Sequence, residues 1–182
     1  MDWRHWISVG LFGFHYGHRA YVYTLLRMNK CGPTSVVGVV LSAFVFTSVN
    51  GFVMTKFSIF WDHGVGAASD LKLVIGVLLF FVGFAINYHS DHILLNLRKP
   101  GELTYKVPRG GAFEWVTSAN YFGEILEWVG FSVAFTNPAS IGFVFNSLCN
   151  LVPRARSTFK WYQQKFPEED WSQKKSICPM LY

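Results

Sequence analysis

Three stretches of this chain contain no Asp, Glu, Lys or Arg: residues 31–55, 73–88 and 128–153. A helix crossing the hydrocarbon core of a bilayer needs roughly 20 apolar residues. The first and last runs exceed that, and Leu71 with the snorkelling stem of Lys72 lengthens the middle one. With 51% hydrophobic and 15% charged residues the whole chain is too apolar for an ordinary soluble domain. The expectation is therefore an all-α polytopic membrane protein, residues 1–182 forming one membrane-embedded domain.

The spans are expected as follows. The first covers about residues 6–26, the second 34–54, and the third starts at Leu71. A fourth starts near Ser118. Asn137-Pro138 interrupts the last apolar stretch, and proline inside a helix costs about 3 kcal/mol, so residues 121–136 and 139–152 read as two helices joined by a tight turn. That makes about five transmembrane helices. Counting cations tests the arrangement: twelve of the sixteen Lys and Arg fall on one side, which the positive-inside rule makes the cytosol. The tail, residues 154–182, interleaves Phe159, Trp161, Tyr162, Phe166 and Trp171 with lysines, the composition of an interfacial C-terminal helix in the headgroup layer. Beside so many apolar spans, its basic aromatics do not argue for nucleic acid.

Polar groups inside such spans are costly and mark sites by default. Tyr16, Arg19 and Tyr23 are spaced i, i+3, i+7 in the first span. Asn87, Asp91 and Arg98 fall at i, i+4, i+11, and Asn120, Glu124 and Glu127 at i, i+4, i+7, so each set projects from one helix face. Asn50, beside Gly51, reads more simply as an interhelical hydrogen-bonding group. Between the second and third sets lies a Pro- and Gly-punctuated loop with Arg98, Lys99, Lys106 and Arg109; with Arg27 and Lys30 these could hold the phosphates of a nucleotide. Asp91, Glu124 and Asn120 could hold ribose hydroxyls or an amide. There is no GxGxxG turn or P-loop, so a dinucleotide would be bound by something other than a Rossmann turn. His15/His18 and His89/His92 form two HxxH pairs without an obvious further ligand, so no metal is expected and each histidine is read as neutral and hydrogen-bonded. Cys31, Cys149 and Cys178 have no motif spacing.

The blocks Asn87-Tyr88-His89-Ser90-Asp91, Asn96-Leu97-Arg98-Lys99-Pro100-Gly101-Glu102, Tyr105-Lys106-Val107-Pro108-Arg109-Gly110-Gly111 and Asn120-Tyr121-Phe122-Gly123-Glu124-Ile125-Leu126-Glu127-Trp128 together resemble the steroid 5-alpha-reductase family. The resemblance extends to His15-Tyr16-Gly17-His18-Arg19 and to Lys160-Trp161-Tyr162. At Pro153-Arg154-Ala155-Arg156 it is nearer to the plant brassinosteroid-pathway members. It implies a multi-pass enzyme of the endoplasmic reticulum membrane, cofactor site facing the cytosol, that uses NADPH to reduce the carbon-carbon double bond of a 3-oxo-Δ4-steroid. Tyr16 would hydrogen-bond the ketone, and Arg19, Tyr23, Arg27, Lys30, Asn87, Asp91, Arg98, Tyr105, Asn120, Glu124 and Tyr162 would contact the cofactor. Lys30 stands where the family usually has arginine, and Thr158 where animal members have histidine. Family chains carry further N-terminal helices that give the tyrosine an acidic or amide partner; relative to them this chain reads as N-terminally truncated. Three alternatives stand beside the reductase: a non-catalytic short paralogue binding sterol or a membrane partner, an enoyl-thioester or polyprenol reductase, and an isoprenylcysteine-type methyltransferase.

Overall fold

The computed structural model of the chain describes residues 3–31, 37–61, 67–98, 102 and 104–179, without the side chains of 28–31, 37, 39, 43, 67 and 68. Helix α1 (Trp3–Gly17) runs through a π-helical segment (His18–Tyr23) into α2 (Thr24–Cys31), and α3 (Val37–Phe60) and α4 (Ala67–Asn96) follow. After a long connection with a 3₁₀ turn at Gly111–Glu114 come α5 (Ala119–Ala134) and α6 (Pro138–Lys165). Among the described residues, two helices are long and apolar enough to cross a bilayer by themselves, over Val40–Phe60 and Ser69–Asn96. On α3 the apolar side chains point outward: Leu41, Phe44, Val45, Val49 and Phe52 are all exposed. Such a surface is stable where lipid, not water, is the solvent, and the fold is that of an all-α membrane protein.

Polar contacts fix the relative direction of the helices. Arg4 at the start of α1 pairs with Asp70 at the start of α4, and Ser8 of α1 donates to Ser58 near the end of α3 at 2.6 Å. Helices α1 and α4 are thus parallel, with α3 antiparallel to them.

The tightest seam is that between α4 and α5, and glycine makes it. Added at Gly76 or Gly83 of α4, a Cβ would stand 2.3 Å from the backbone nitrogen of Ala134 or Glu127; at Gly123 or Gly130 of α5 it would stand 2.4 Å from that of Asn87 or Phe80. Both pairs are seven residues apart, so two small-residue faces meet backbone to backbone, the usual way for helices to associate where no hydrophobic force separates them from lipid. Trp128, Phe131, Phe135, Phe143 and Phe80 fill the core beside this seam.

The turn expected at Asn137-Pro138 is present. Asn137 caps α6 by accepting from the Ser140 amide at 2.9 Å, Ser140 Oγ accepts from the Asn137 amide at 3.2 Å, and Pro138 occupies the first turn, where its missing N–H costs nothing. The C-terminal region differs from expectation. Helix α6 carries Pro153 in its interior and continues unbroken to Lys165, so residues 154–165 extend a core helix and do not begin a separate interfacial one. One side chain explains the continuation: Ala155 is fully buried, so the segment is held by packing on the protein. The remaining tail returns to the 3₁₀ connection, where Thr117 and Ser118 donate to the carbonyls of Lys175 and Ser176 at 3.0 and 3.2 Å.

Candidate active site

At the basic end of the bundle the close α4–α5 seam carries polar side chains. Asn87 Nδ2 donates to the Asn120 carbonyl at 2.8 Å, and Asn120 Nδ2 donates to Asp91 Oδ1 at 3.3 Å. Asp91 is 2% exposed, a burial that demands a cationic partner. Arg19 supplies it: Nη1 donates to Asp91 Oδ2 at 2.8 Å, and Nη2 reaches Glu124 Oε2 at 3.5 Å. The guanidinium also lies 4.8 Å from the ring centre of Tyr23. Arg19 and Tyr23 both belong to the π segment, a form that recurs at functional sites. All three expected faces therefore meet, joining Arg19, Tyr23, Asn87, Asp91, Asn120 and Glu124. A recess lined by His18, Tyr23, Tyr88, Asp91 and His92 opens beside them.

Glu127 continues this face of α5 toward α1. It is fully buried one turn further from the basic end, its Oε1 2.8 Å from His15 Nδ1, while its Oε2 has no hydrogen-bond partner among the described residues. His15 packs edge-on against Trp128 at 4.6 Å and Tyr16 at 5.0 Å. Tyr16 lies between this pair and the Arg19 cluster, and Asn50 of α3 donates to its hydroxyl at 3.4 Å. The two histidines of the first HxxH pair have separate environments, since His18 packs on Phe84 and Tyr88.

The other expected residues form a second group. Arg98 lies 5.2 Å from the ring centre of Tyr105, which meets Trp161 edge-on at 4.9 Å. Tyr162, at the far end of α6, is buried and stacks on Trp171 at 5.9 Å. Burial pushes its phenol up, and the nearby Arg98 guanidinium partly offsets this. Arg27 is exposed on α2; the side chain of Lys30, and Lys99, lie outside what the structure describes. Lys106 and Arg109, expected among the anion-binding cations, make exposed ion pairs with Glu102 at 2.7 Å and Glu169 at 2.6 Å. Tail and loop carry complementary charge, which the order of residues along the chain conceals.

Sequence reasoning read His15 as a hydrogen-bonded histidine and Asn50 as an interhelical hydrogen-bonding group, and these are the contacts they make beside the site. Each neighbours an assigned or small residue, Tyr16 in one case and Gly51 in the other, and an Asn-Gly pair in an apolar span was the available signal for Asn50.

A helical membrane protein with a half-buried arginine, two acids, two amides and a phenol brought together from three helices belongs to the class of membrane proteins that hold a polar site among apolar helices. Sequence comparison makes the class specific. Residues 33–182 match the family profile described as 3-oxo-5-alpha-steroid 4-dehydrogenase. The chain is 41% identical over 177 residues to 3-oxo-5-alpha-steroid 4-dehydrogenase 1 of Macaca fascicularis, covering 97% of this chain and 66% of that protein. To the Homo sapiens form 1 it is 41% identical over 180 residues, covering 97% and 67%. To 3-oxo-5-alpha-steroid 4-dehydrogenase 2 of Macaca fascicularis it is 36% identical over 177 residues, covering 97% and 68%. The chain belongs to the 3-oxo-5-alpha-steroid 4-dehydrogenase family, oxidoreductases acting on CH–CH bonds, and spans about two thirds of the length of these relatives.

Proposed function

We propose that the chain reduces the carbon-carbon double bond conjugated to the ketone of a 3-oxo-Δ4-steroid, using NADPH, in the endoplasmic reticulum membrane with the cofactor site facing the cytosol. The observation that carries this reading is the convergence of Arg19, Asp91, Asn120 and Glu124 immediately beside Tyr16. Carboxylates and amides inside apolar helices suit the hydroxyl and amide groups of a nicotinamide nucleotide. Arg98, with Arg27 and Lys30, suits its phosphates, and Tyr105 and Tyr162 offer aromatic surface. NADPH, when bound, supplies the hydride that the β carbon of the enone accepts. The chain's own part is electrostatic. Tyr16, flanked by Phe12 and Trp128, donates to the ketone oxygen as negative charge develops there, in surroundings dry enough to make the bond count for several kcal/mol. The enolate then takes a proton from solvent water at its α carbon, leaving hydroxide that the bulk neutralises. The orientation rests on the positive-inside rule, since twelve of the sixteen Lys and Arg fall on one side of the expected spans.

The test is reduction of progesterone by the purified chain in lipid nanodiscs with NADPH. Tyr16→Phe is expected to lower kcat by about 100-fold, the usual loss of an oxyanion donor, with NADPH affinity unchanged. Asp91→Asn and Glu124→Gln are expected to weaken NADPH binding by at least about tenfold, the loss of one charge-assisted bond. Unaltered turnover in Tyr16→Phe removes the tyrosine from the mechanism, and wild-type NADPH affinity in both acid variants removes the cofactor assignment.

A further inference from the structure

A phenol stabilises an oxyanion only while its proton is free to be donated, so what Tyr16 bonds to inside the protein decides whether it can act. Its ring is surrounded by Phe12 at 4.7 Å, His15 at 5.0 Å and Trp128 at 6.1 Å. Of these only His15 carries a ring nitrogen that can accept a proton; its Nδ1 faces Glu127 at 2.8 Å, and its ring meets Tyr16 edge-on. The polar contact that Tyr16 does make is with Asn50, whose Nδ2 donates to its oxygen at 3.4 Å. An oxygen that accepts one hydrogen bond becomes a better donor of its own, and the proton must point away from the group that donates to it. The approach of α3 to α1 that allows this contact is held along α3 after Asn50. Gly51 brings the backbone to where a Cβ would lie 3.8 Å from Phe12 Cε1, and Ser8 ties the two helices at Ser58.

We infer that Asn50 is a positioning residue of the proposed reductase: by donating its amide hydrogen to Tyr16 Oη it keeps the phenolic proton directed at the substrate ketone. The assignment rests on the role of Tyr16 proposed above and adds a residue to it. When the β carbon accepts hydride, the π electrons move onto the ketone oxygen and meet the Tyr16 O–H. Asn50 neither gains nor loses a proton in this step. It acts through Tyr16, to which its side chain donates, while Arg19, Asp91 and Glu124 bond to one another and are assigned to the cofactor.

Two substitutions in the full chain, assayed with progesterone and NADPH across pH, test the inference. Asn50→Leu removes the donor, and kcat is expected to fall about tenfold, with NADPH affinity within twofold of wild type. Asn50→Asp keeps the shape and makes the group titratable. While protonated, the acid donates to Tyr16 Oη as the amide does, and turnover stays near wild type. Once ionised, the carboxylate captures the Tyr16 proton, so kcat is expected to fall with rising pH along an ionisation that wild type lacks. The charged groups acting on Tyr16, Arg19 from the π segment and Glu124 from α5, and the adjacent His15 and Glu127, are present in wild type as well and form the baseline. A pH profile in Asn50→Asp identical to wild type, or undiminished kcat in Asn50→Leu, overturns the inference. Should Asn50→Leu fail to fold, the near-isosteric Asn50→Asp decides alone. A wild-type chain that binds NADPH but reduces no progesterone overturns the role of Tyr16, and this assignment with it.

Discussion

Gly123→Ala is the smallest change that should separate the two halves of the site. The new Cβ would stand 2.4 Å from the Asn87 nitrogen, 2.8 Å from the Gly83 oxygen and 2.9 Å from the Asn87 Cα. All three are backbone atoms of α4, so no side chain can swing aside. Ordinary contact begins near 3.4 Å, and the helices must therefore part locally by about 1 Å. Overpacking of this kind costs about 1–3 kcal/mol. The same displacement stretches the Asn87–Asn120 bond from 2.8 Å to beyond hydrogen-bonding distance, at a further cost of about 1 kcal/mol. Asn120 in turn holds Asp91, so the variant should lose both thermal stability and NADPH affinity, the latter by at least about tenfold. Gly142→Ala is the control: nothing lies within 4 Å of its Cβ, and replacing glycine inside a helix should leave the unfolding midpoint unchanged or slightly raised. Midpoints of thermal unfolding in detergent and NADPH titrations of both variants measure the difference. A Gly123→Ala protein as stable and as tight-binding as wild type would refute the backbone-contact seam as the device that assembles the site.

Glu127→Ala leaves His15 buried without its partner and should destabilise the protein by about 1–3 kcal/mol, whereas Glu127→Gln keeps an acceptor and should cost less; equal unfolding midpoints for the two would contradict the pairing. Asn137→Ala removes the cap of α6 and should cost about 1 kcal/mol, read as a lowered midpoint with unchanged NADPH affinity, since the cap lies at the opposite end of the bundle from Asp91.

The sequence made the polar stripes legible because a hydrophilic residue in an uncharged run has few neutral explanations. Spacing alone placed Asn87 with Asp91 and Asn120 with Glu124, and both pairs meet at the site. Spacing could not tell which partner each member of a stripe meets. Glu127 continues the i, i+4, i+7 series one turn beyond Glu124, and there it meets His15, a residue 112 positions away. Arg109 shares a loop with Arg98 but is neutralised by Glu169 from the tail. Both outcomes depend on partners supplied by distant segments. Hydropathy likewise concealed the seam, since Gly76, Gly83, Gly123 and Gly130 count only as uncharged residues. Their meaning appears when the seven-residue spacing of one helix is set against that of the other. The functional stripe is thus inseparable from the structural one. Asn87 lies four residues after Gly83 and Glu124 immediately follows Gly123, so the contact that lets α4 and α5 touch also brings two carboxylates to one arginine. A larger residue in that seam would leave Asp91 and Glu124 in place along the chain while moving them out of Arg19's reach, and the site would be lost without any change in its own side chains.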